Sequence, residues 1–438
     1  MSDQIAAGWS KKTIGDLAEV VSGGTPARDV PAFWDQGTIP WVTPTDITGT
    51  DGRYLDDSSG KITSLGLAWS GANMLPTGTV LMTSRATVGE AKIAAVPCCT
   101  NQGFKSLIPK RDVDSLFLYY LTQLHKEGIK VFGSGSTFLE VGKADILRFS
   151  VTVPGFTQQK EISRILDSVD GAIEKTEALI AKYQQIKAGL MHDLFTRGIK
   201  DRNLREAIAE SPDLYKKSML GAIPTQWSVG DLRSKAHPSR PHLQTVPFGS
   251  SLKGEHWVEE GCPIVTIGSL GDGQFINKNL LFVSEETARK LGGFALVPGD
   301  VVFSRVADVG RSVAVTEEQR GWIMSSNLMR IMLDPAKVIP RFLQQSLSYD
   351  CRVRQQVRSL VNSGGREVAN GAVLNKMQFA WPGIEEQGEI VQRSDALDQV
   401  ITVEHQRMEI MSQAKLGLSS DLLGGLASHG SHNWSLGT

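Results

Sequence analysis

The side chains in this sequence best suited to chemistry are basic and polar groups set for contact with anions. Arg354 and Arg358 are four residues apart, so on a helix they share a face suited to bidentate contact with phosphate oxygens or a guanine edge. They stand with Arg341, Arg352, Arg366 and Lys376 in a 36-residue stretch whose only acids are Asp350 and Glu367. A solvated helix face fits the same spacing. Earlier in the chain the candidates are polar loops: Ser84-Arg85-Ala86-Thr87, Thr100-Asn101-Gln102 and Ser134-Gly135-Ser136-Thr137. Asn and Gln read adenine edges, while Ser, Thr and backbone amides hold phosphates.

Catalytic patterns are missing. Gly142-Lys143 is followed by alanine and lacks the upstream glycine of a nucleotide-binding phosphate loop. Gly133-x-Gly135 runs on to Phe138 where a dinucleotide fingerprint needs glycine. His237 and His242 form a close histidine pair and sit among Pro238 and Pro241, which reads as a loop and not a metal site. There is no Gly-x-Ser-x-Gly elbow, and no Asn-Pro-Pro-Tyr/Phe or Asp-Pro-Pro-Tyr segment for base methylation. Cys98, Cys99, Cys262 and Cys351 form no Cys-x-x-Cys pair and read as reduced packing residues. The chain is expected to be non-catalytic and to hold no metal.

The elements that must position these groups come from a chain of 438 residues, enough for about three domains. With 41% apolar and 21% charged residues it reads as folded, not disordered. No stretch approaches 18 uninterrupted apolar residues and Met1–Ser10 lacks signal-peptide character, so the expected address is cytoplasmic, with no membrane. The net charge of -1 gives no bulk attraction to nucleic acid, but it hides an asymmetry: residues 204–383 hold 21 basic and 17 acidic side chains, residues 384–438 hold 3 and 8.

The chain is written twice. Trp9-Ser10 and Ile14-Gly15-Asp16-Leu17 recur as Trp227-Ser228-Val229-Gly230-Asp231-Leu232, and Thr83-Ser84-Arg85 as Phe303-Ser304-Arg305, each followed by Val-Gly (Val88-Gly89, Val309-Gly310). Thr100-Asn101 matches Ser326-Asn327, which adds Arg305 and Asn327 to the candidate contacts. Gln159-x-Glu161-Ile162 matches Gln387-x-Glu389-Ile390, an offset of 228. Each half begins with short β-branched runs broken by Gly and Pro, then turns into a proline-free stretch. There the apolar residues fall at a 3-4 spacing: Leu166, Val169, Ile173, Ile180, Tyr183, Leu190 and Leu194, then Leu397, Ile401, Met408, Met411, Leu418 and Leu422. Thr176, Lys187, Ser394, Glu404 and Lys415 are polar seam positions.

Such a seam defines a coiled coil, and each helix, roughly 57 Å long at 1.5 Å per residue, would overhang its own domain. Long helices packed each on its own domain remain the plainer reading. The expected fold is α+β: two tandem mixed α/β domains, each followed by a long helix, with the helices forming an antiparallel coiled coil of pseudo-two-fold symmetry. The expected segments are 1–156, a first domain; 157–199, its helix; 200–383, linker and second domain; 384–426, the second helix; and 427–438, a polar tail. If Leu166 is an a position, Lys187 falls opposite Glu404 and Lys415 opposite Thr176, a register chosen by the charge pair. Independent snorkelling of the two lysines is the alternative.

A GGTP turn, Gly23-Gly24-Thr25-Pro26, leads through Trp34 to Pro40-Trp41-Val42-Thr43, then Thr83-Ser84-Arg85, Thr100-Asn101-Gln102-Gly103-Phe104, and a Lys-x-Gly-Leu-x-x-Asp-Leu helix end at Lys187 and again at Lys415. Over nearly the whole chain this resembles the specificity subunit of type I restriction–modification enzymes. The resemblance implies target recognition domains that each read half of a split asymmetric sequence in double-stranded DNA. It also implies two methyltransferase subunits docked on the helices and restriction subunits joined through the complex, with S-adenosylmethionine, ATP and Mg on those partners and no cofactor here. The second half lacks the GGTP turn, so base choice does not carry over between domains. The alternative from another class is a coiled-coil assembly scaffold whose repeated domains bind protein; a self-sufficient methyltransferase stands third.

Overall fold

The computed structural model describes residues 6–132, 140–246, 257–278, 280–306, 308–362 and 368–424. Ser134, Ser136, Thr137 and Arg366 lie outside them. Two compact units divide the chain: residues 1–179 with 404–438, and residues 180–403. The first unit is discontinuous in sequence, because each unit takes a stretch of both long helices.

The duplication is visible strand by strand. In the first domain the large sheet runs Ala18–Ser22, Lys105–Pro109, Val80–Met82, Ala91–Ala94, with Tyr54–Leu55 added in parallel at the edge. In the second it runs Leu243–Thr245, Leu328–Ile331, Val301–Ser304, Ser312–Ala314 in the same antiparallel order. A small second sheet recurs too: Ile39–Val42 pairs antiparallel with Gly60–Ile62 and parallel with Cys99–Thr100, as Cys262–Val265 does with Leu281–Val283 and Ile323–Met324. A two-stranded ribbon closes each domain, Trp9–Thr13 on Ser150–Pro154 and Ser228–Gly230 on Phe379–Trp381. Val80, Val301 and Phe303 are fully buried, as expected of central strands with apolar layers on both faces.

Each ribbon ends in Pro-Gly, and there the helices begin: Phe156–Thr196 and Ile384–Leu423. Proline cannot continue a strand ladder, and the residue after it is free to turn. The buried amide of Gln159 fixes the first junction: its nitrogen donates to the Pro154 carbonyl at 3.0 Å and its oxygen accepts from the Asp114 N–H at 3.1 Å. Gln387 does the same with the Pro382 carbonyl and the Ile339 N–H, at 3.1 and 2.9 Å. The first helix ends before Gly198, whose φ of +66° suits a residue without a side chain. A Cβ there would lie 2.4 Å from Arg205, Glu386 and Trp227.

The expected α+β architecture with two tandem domains and long helices is borne out, and the seam residues are buried or half-buried on both helices. Within each unit the helix stretches run antiparallel. In the first, Leu166 shares a core with Leu418, Leu422 and Leu423, while Asp170 meets Lys415 at 2.6 Å. In the second, Leu190 and Leu194 share a core with Ile390 and Val391, while Lys187 meets Asp398 at 2.6 Å. The expected register is corrected: Lys187 pairs six residues before Glu404, about 9 Å along the helix. Among the described residues Glu404 has only Arg407 of its own helix within ion-pair distance, at 3.9 Å. Thr176 donates to the Ala172 carbonyl instead of meeting Lys415. The physical reason is reach: a lysine in the seam extends to acids at its rim, where tyrosine and solvent help to satisfy the charge.

Candidate nucleic-acid interface

In the first unit, three of the polar segments come together at the ends of the central strands. Gly24 donates to the Thr100 carbonyl at 2.9 Å, and a Cβ at Gly23 would lie 2.1 Å from the Asn101 carbonyl oxygen, so the GGTP turn lies flat on the Thr100–Gly103 loop only because it lacks side chains. That contact delivers the Thr25 hydroxyl to the Gln102 side-chain oxygen, 2.5 Å away. Asn101 turns its own loop, its side-chain oxygen accepting from the Gly103 N–H at 2.8 Å. The Gly103 carbonyl accepts in turn from Ser84 at 2.7 Å, which sets the Arg85–Thr87 turn beside it. Ala86 has a φ of +58°, uncommon for a residue with a side chain.

Arg85, Thr87 and Gln102 are exposed on this rim and Asn101 is half-buried. Arg85 is tied to Glu140 at 2.9 Å but keeps nearly half its side chain in solvent. Ser84 is a correction: it is fully buried and accepts from Lys105 at 3.3 Å, so it supports the rim without facing a ligand. Burial pulls the Lys105 ammonium below its ordinary pKa, against the pull of Glu140. The sequence reading missed Arg28, whose exposed guanidinium lies 5.6 Å from the ring centroids of both Trp34 and Trp41. The Trp41 indole donates to the Gly24 carbonyl at 2.9 Å, tying this aromatic clasp to the GGTP turn. The signal was the spacing of Arg28, Trp34 and Trp41, whose meeting depends on the fold.

The second unit sorts its arginines into structural and free. Arg305 is 6% exposed and donates to the Ala369 and Ser326 carbonyls at 3.1 and 3.2 Å, and burial lowers its pKa. Arg352 grips Asp350, itself 2% exposed, with both ends of its guanidinium at 2.9 and 2.8 Å. Both are corrections to the expected DNA contacts: these guanidiniums are held against carbonyls or a buried carboxylate and are not presented on the surface. Arg341, counted in the basic stretch, clamps the second long helix through Asp395 and Asp398 at 3.0 and 3.1 Å. Its counterpart is Arg53, which holds Asp167 and Glu174 of the first long helix at 2.8 and 2.6 Å.

Arg354 and Arg358 remain exposed on the Cys351–Asn362 helix. Among the described residues neither guanidinium has an ion-pair partner. Together they line a cleft of about 490 Å³ with Asp308, Gly310 and Arg311. Asn327 is exposed, its carbonyl accepting from the Arg305 N–H at 3.1 Å. No cluster of three or more His, Cys, Asp or Glu able to hold a metal occurs among the described residues, and His242 instead bonds Asn375 at 2.7 Å. No described helix is long and apolar enough to cross a membrane.

Polar loops at the strand ends of two duplicated domains, joined by antiparallel helix stretches, define a DNA-specificity architecture. The type I restriction modification DNA specificity domain matches residues 7–185 and 249–410, and the chain belongs to that family as a specificity subunit with tandem recognition domains. It is 32% identical to the MjaIX specificity subunit of Methanocaldococcus jannaschii over 59% of this chain and 60% of that relative's length. With the MjaVIII specificity subunit of the same organism it shares 21% identity over 95% of this chain and 92% of the other. The fold is similar to that of a type I system S subunit from M. genitalium, with a TM-score of 0.56 at 15% identity over 97% of both chains. Specificity subunits of this family are non-catalytic.

Proposed function

We propose that this chain reads a split, asymmetric sequence in double-stranded DNA, one half-site per domain, and presents it to two methyltransferase subunits docked on the long helices, with restriction subunits joining through them. The observation that carries the reading is the duplication itself: one strand order, one glutamine-locked helix start and one lysine–aspartate clasp, each written twice at the same spacing. A duplicated reader that folds around a two-fold axis faces opposite strands in its two copies, so the half-sites lie about one helical turn, 34–36 Å, apart. The first domain reads through Arg85, Thr87, Asn101, Gln102 and Arg28, the second through Asn327, with Arg354 and Arg358 exposed on the same domain for contact with the DNA. In this reading S-adenosylmethionine, ATP and Mg serve the partner subunits, and the complex works in the cytoplasm. The test is to express the chain with its methyltransferase and map methylated adenines across a genome. A two-part motif with a fixed gap supports the reading, and methylation without sequence preference, or no association with a methyltransferase, overturns it.

A further inference from the structure

We propose that the Arg354–Arg358 face of the second domain grips the DNA phosphodiester backbone, and that Glu90 neutralises the equivalent face of the first domain, so that the two recognition domains hold DNA unequally. The inference rests on the DNA-reading role proposed above.

The equivalence comes from the repeat. In each domain a second short helix follows the first, Lys126–Phe132 after Ser115–Leu124 and Cys351–Asn362 after Pro340–Tyr349, and each of these carries an i, i+4 basic pair, Lys126 with Lys130 and Arg354 with Arg358. In both, the Val-Gly turn with positive φ lies against that helix: a Cβ at Gly89 would meet the Lys126 Cγ at 2.8 Å, and one at Gly310 would meet the Val357 Cγ1 at 3.7 Å. The residue after that glycine is the one that differs. In the first domain it is Glu90, which forms an ion pair with Lys126, while Lys130 is paired with Glu127 at 2.5 Å. In the second it is Arg311, whose guanidinium is held by Asp308 and by the Leu270 carbonyl at 3.0 Å.

The charge reversal at this position, together with Glu127 on Lys130, therefore decides whether the basic pair is engaged within the protein or left for a ligand. Arg354 and Arg358 line an open cleft with a third arginine, Arg311, and the acids that line it, Asp308 and Asp272, are already engaged by Arg311 and by the Tyr349 hydroxyl. Spaced one helical turn apart, about 5.4 Å, the two guanidiniums can each meet a phosphate of the DNA backbone.

The experiment measures binding of the full chain, assembled with its methyltransferase, to a labelled duplex carrying the sequence found by methylation mapping, over a series of salt concentrations. Each lost phosphate contact lowers the slope of log affinity against log salt by about 0.9. The Arg354→Ala/Arg358→Ala variant is expected to lower the slope by about 1.8, roughly a 12-fold loss of the fourfold-salt effect. Lys126→Ala/Lys130→Ala should leave the slope unchanged, and Glu90→Gln, which frees Lys126, should raise it by about 0.9. The Arg354→Lys/Arg358→Lys variant should keep the slope and the sequence preference, since a phosphate needs only charge; a relaxed half-site preference there would mean base reading and overturn the backbone assignment. An unchanged slope in the double alanine variant, or an equal loss in the Lys126/Lys130 variant, overturns the proposal. Failure of the unaltered complex to prefer its mapped sequence overturns the DNA-reading role beneath it.

Discussion

The Nζ of Lys187, on the first long helix, lies 2.6 Å from the Asp398 carboxylate on the second, and Lys415 of the second lies 2.6 Å from Asp170 of the first. Shifting one pair by 228 residues gives the other, with the helices exchanging roles. A tyrosine accompanies each: Tyr349 accepts from Lys187 at 2.6 Å, and Tyr120 donates to Asp170 at 2.7 Å. The exposures are reversed, which makes the clasps unequal. In the second unit the lysine is the buried member, 9% against 31%; in the first it is the acid, 11% against 32%.

Removing the exposed member of a pair strands the buried one, so Asp398→Ala should cost about 3 kcal/mol while Lys187→Ala, which leaves Asp398 paired with Arg341, costs about 1. In the first unit the order inverts, with Lys415→Ala the costlier change. Denaturant unfolding of the four variants checks this, and equal losses throughout would contradict it.

Burial alone would lower the Lys187 pKa, but its hydrogen bonds with Asp398 and Tyr349 outweigh that and hold it above the ordinary value of 10.5. A lysine raised in the folded state contributes stability that is fully present below the unfolded pKa and lost as pH rises through the folded one. Alkaline titration of stability above pH 10.5 should thus show a fall that is smaller in Asp398→Asn.

Arg305 and Arg352 should behave as structural residues. Arg352→Ala leaves the Asp350 carboxylate buried and unpaired and is expected to cost about 3–5 kcal/mol. Arg85→Ala, at an exposed rim, should change stability by less than about 1 kcal/mol while weakening DNA binding. Thermal melts beside binding isotherms separate the two outcomes.

Burial pushes the thiols of Cys98 and Cys99 up to about 12, so they are protonated and enclosed at pH 8. Cys351 is exposed and Cys262 partly so. Titration with a thiol reagent should give fast reaction at Cys351, slower reaction at Cys262, and none at Cys98 or Cys99 until the chain unfolds.

The purified chain alone should show no methyl transfer, DNA cleavage or ATP hydrolysis. Any of these activities copurifying with the chain through size exclusion and lost on its mutation would contradict a purely recognising role.

The sequence by itself determined the duplication, the α+β pattern and the two long helices, because those rest on local signals: period-3.5 apolar residues, Pro-Gly junctions and a glycine stop at Gly198. It marked Gln159 and Gln387 as counterparts without revealing that they lock the helices to their domains. Only the tertiary structure decided which charged residue meets which. Heptad counting ranks positions in the seam, but a lysine side chain reaches beyond its own layer, so Lys187 found Asp398 and not Glu404. The same holds for the arginines: Arg305, Arg352, Arg354 and Arg358 are alike as letters, and the fold committed the first two, Arg305 to the Ala369 and Ser326 carbonyls and Arg352 to Asp350 and the Phe195 carbonyl. Charge is written in the sequence, while its availability depends on what the fold brings within about 4 Å.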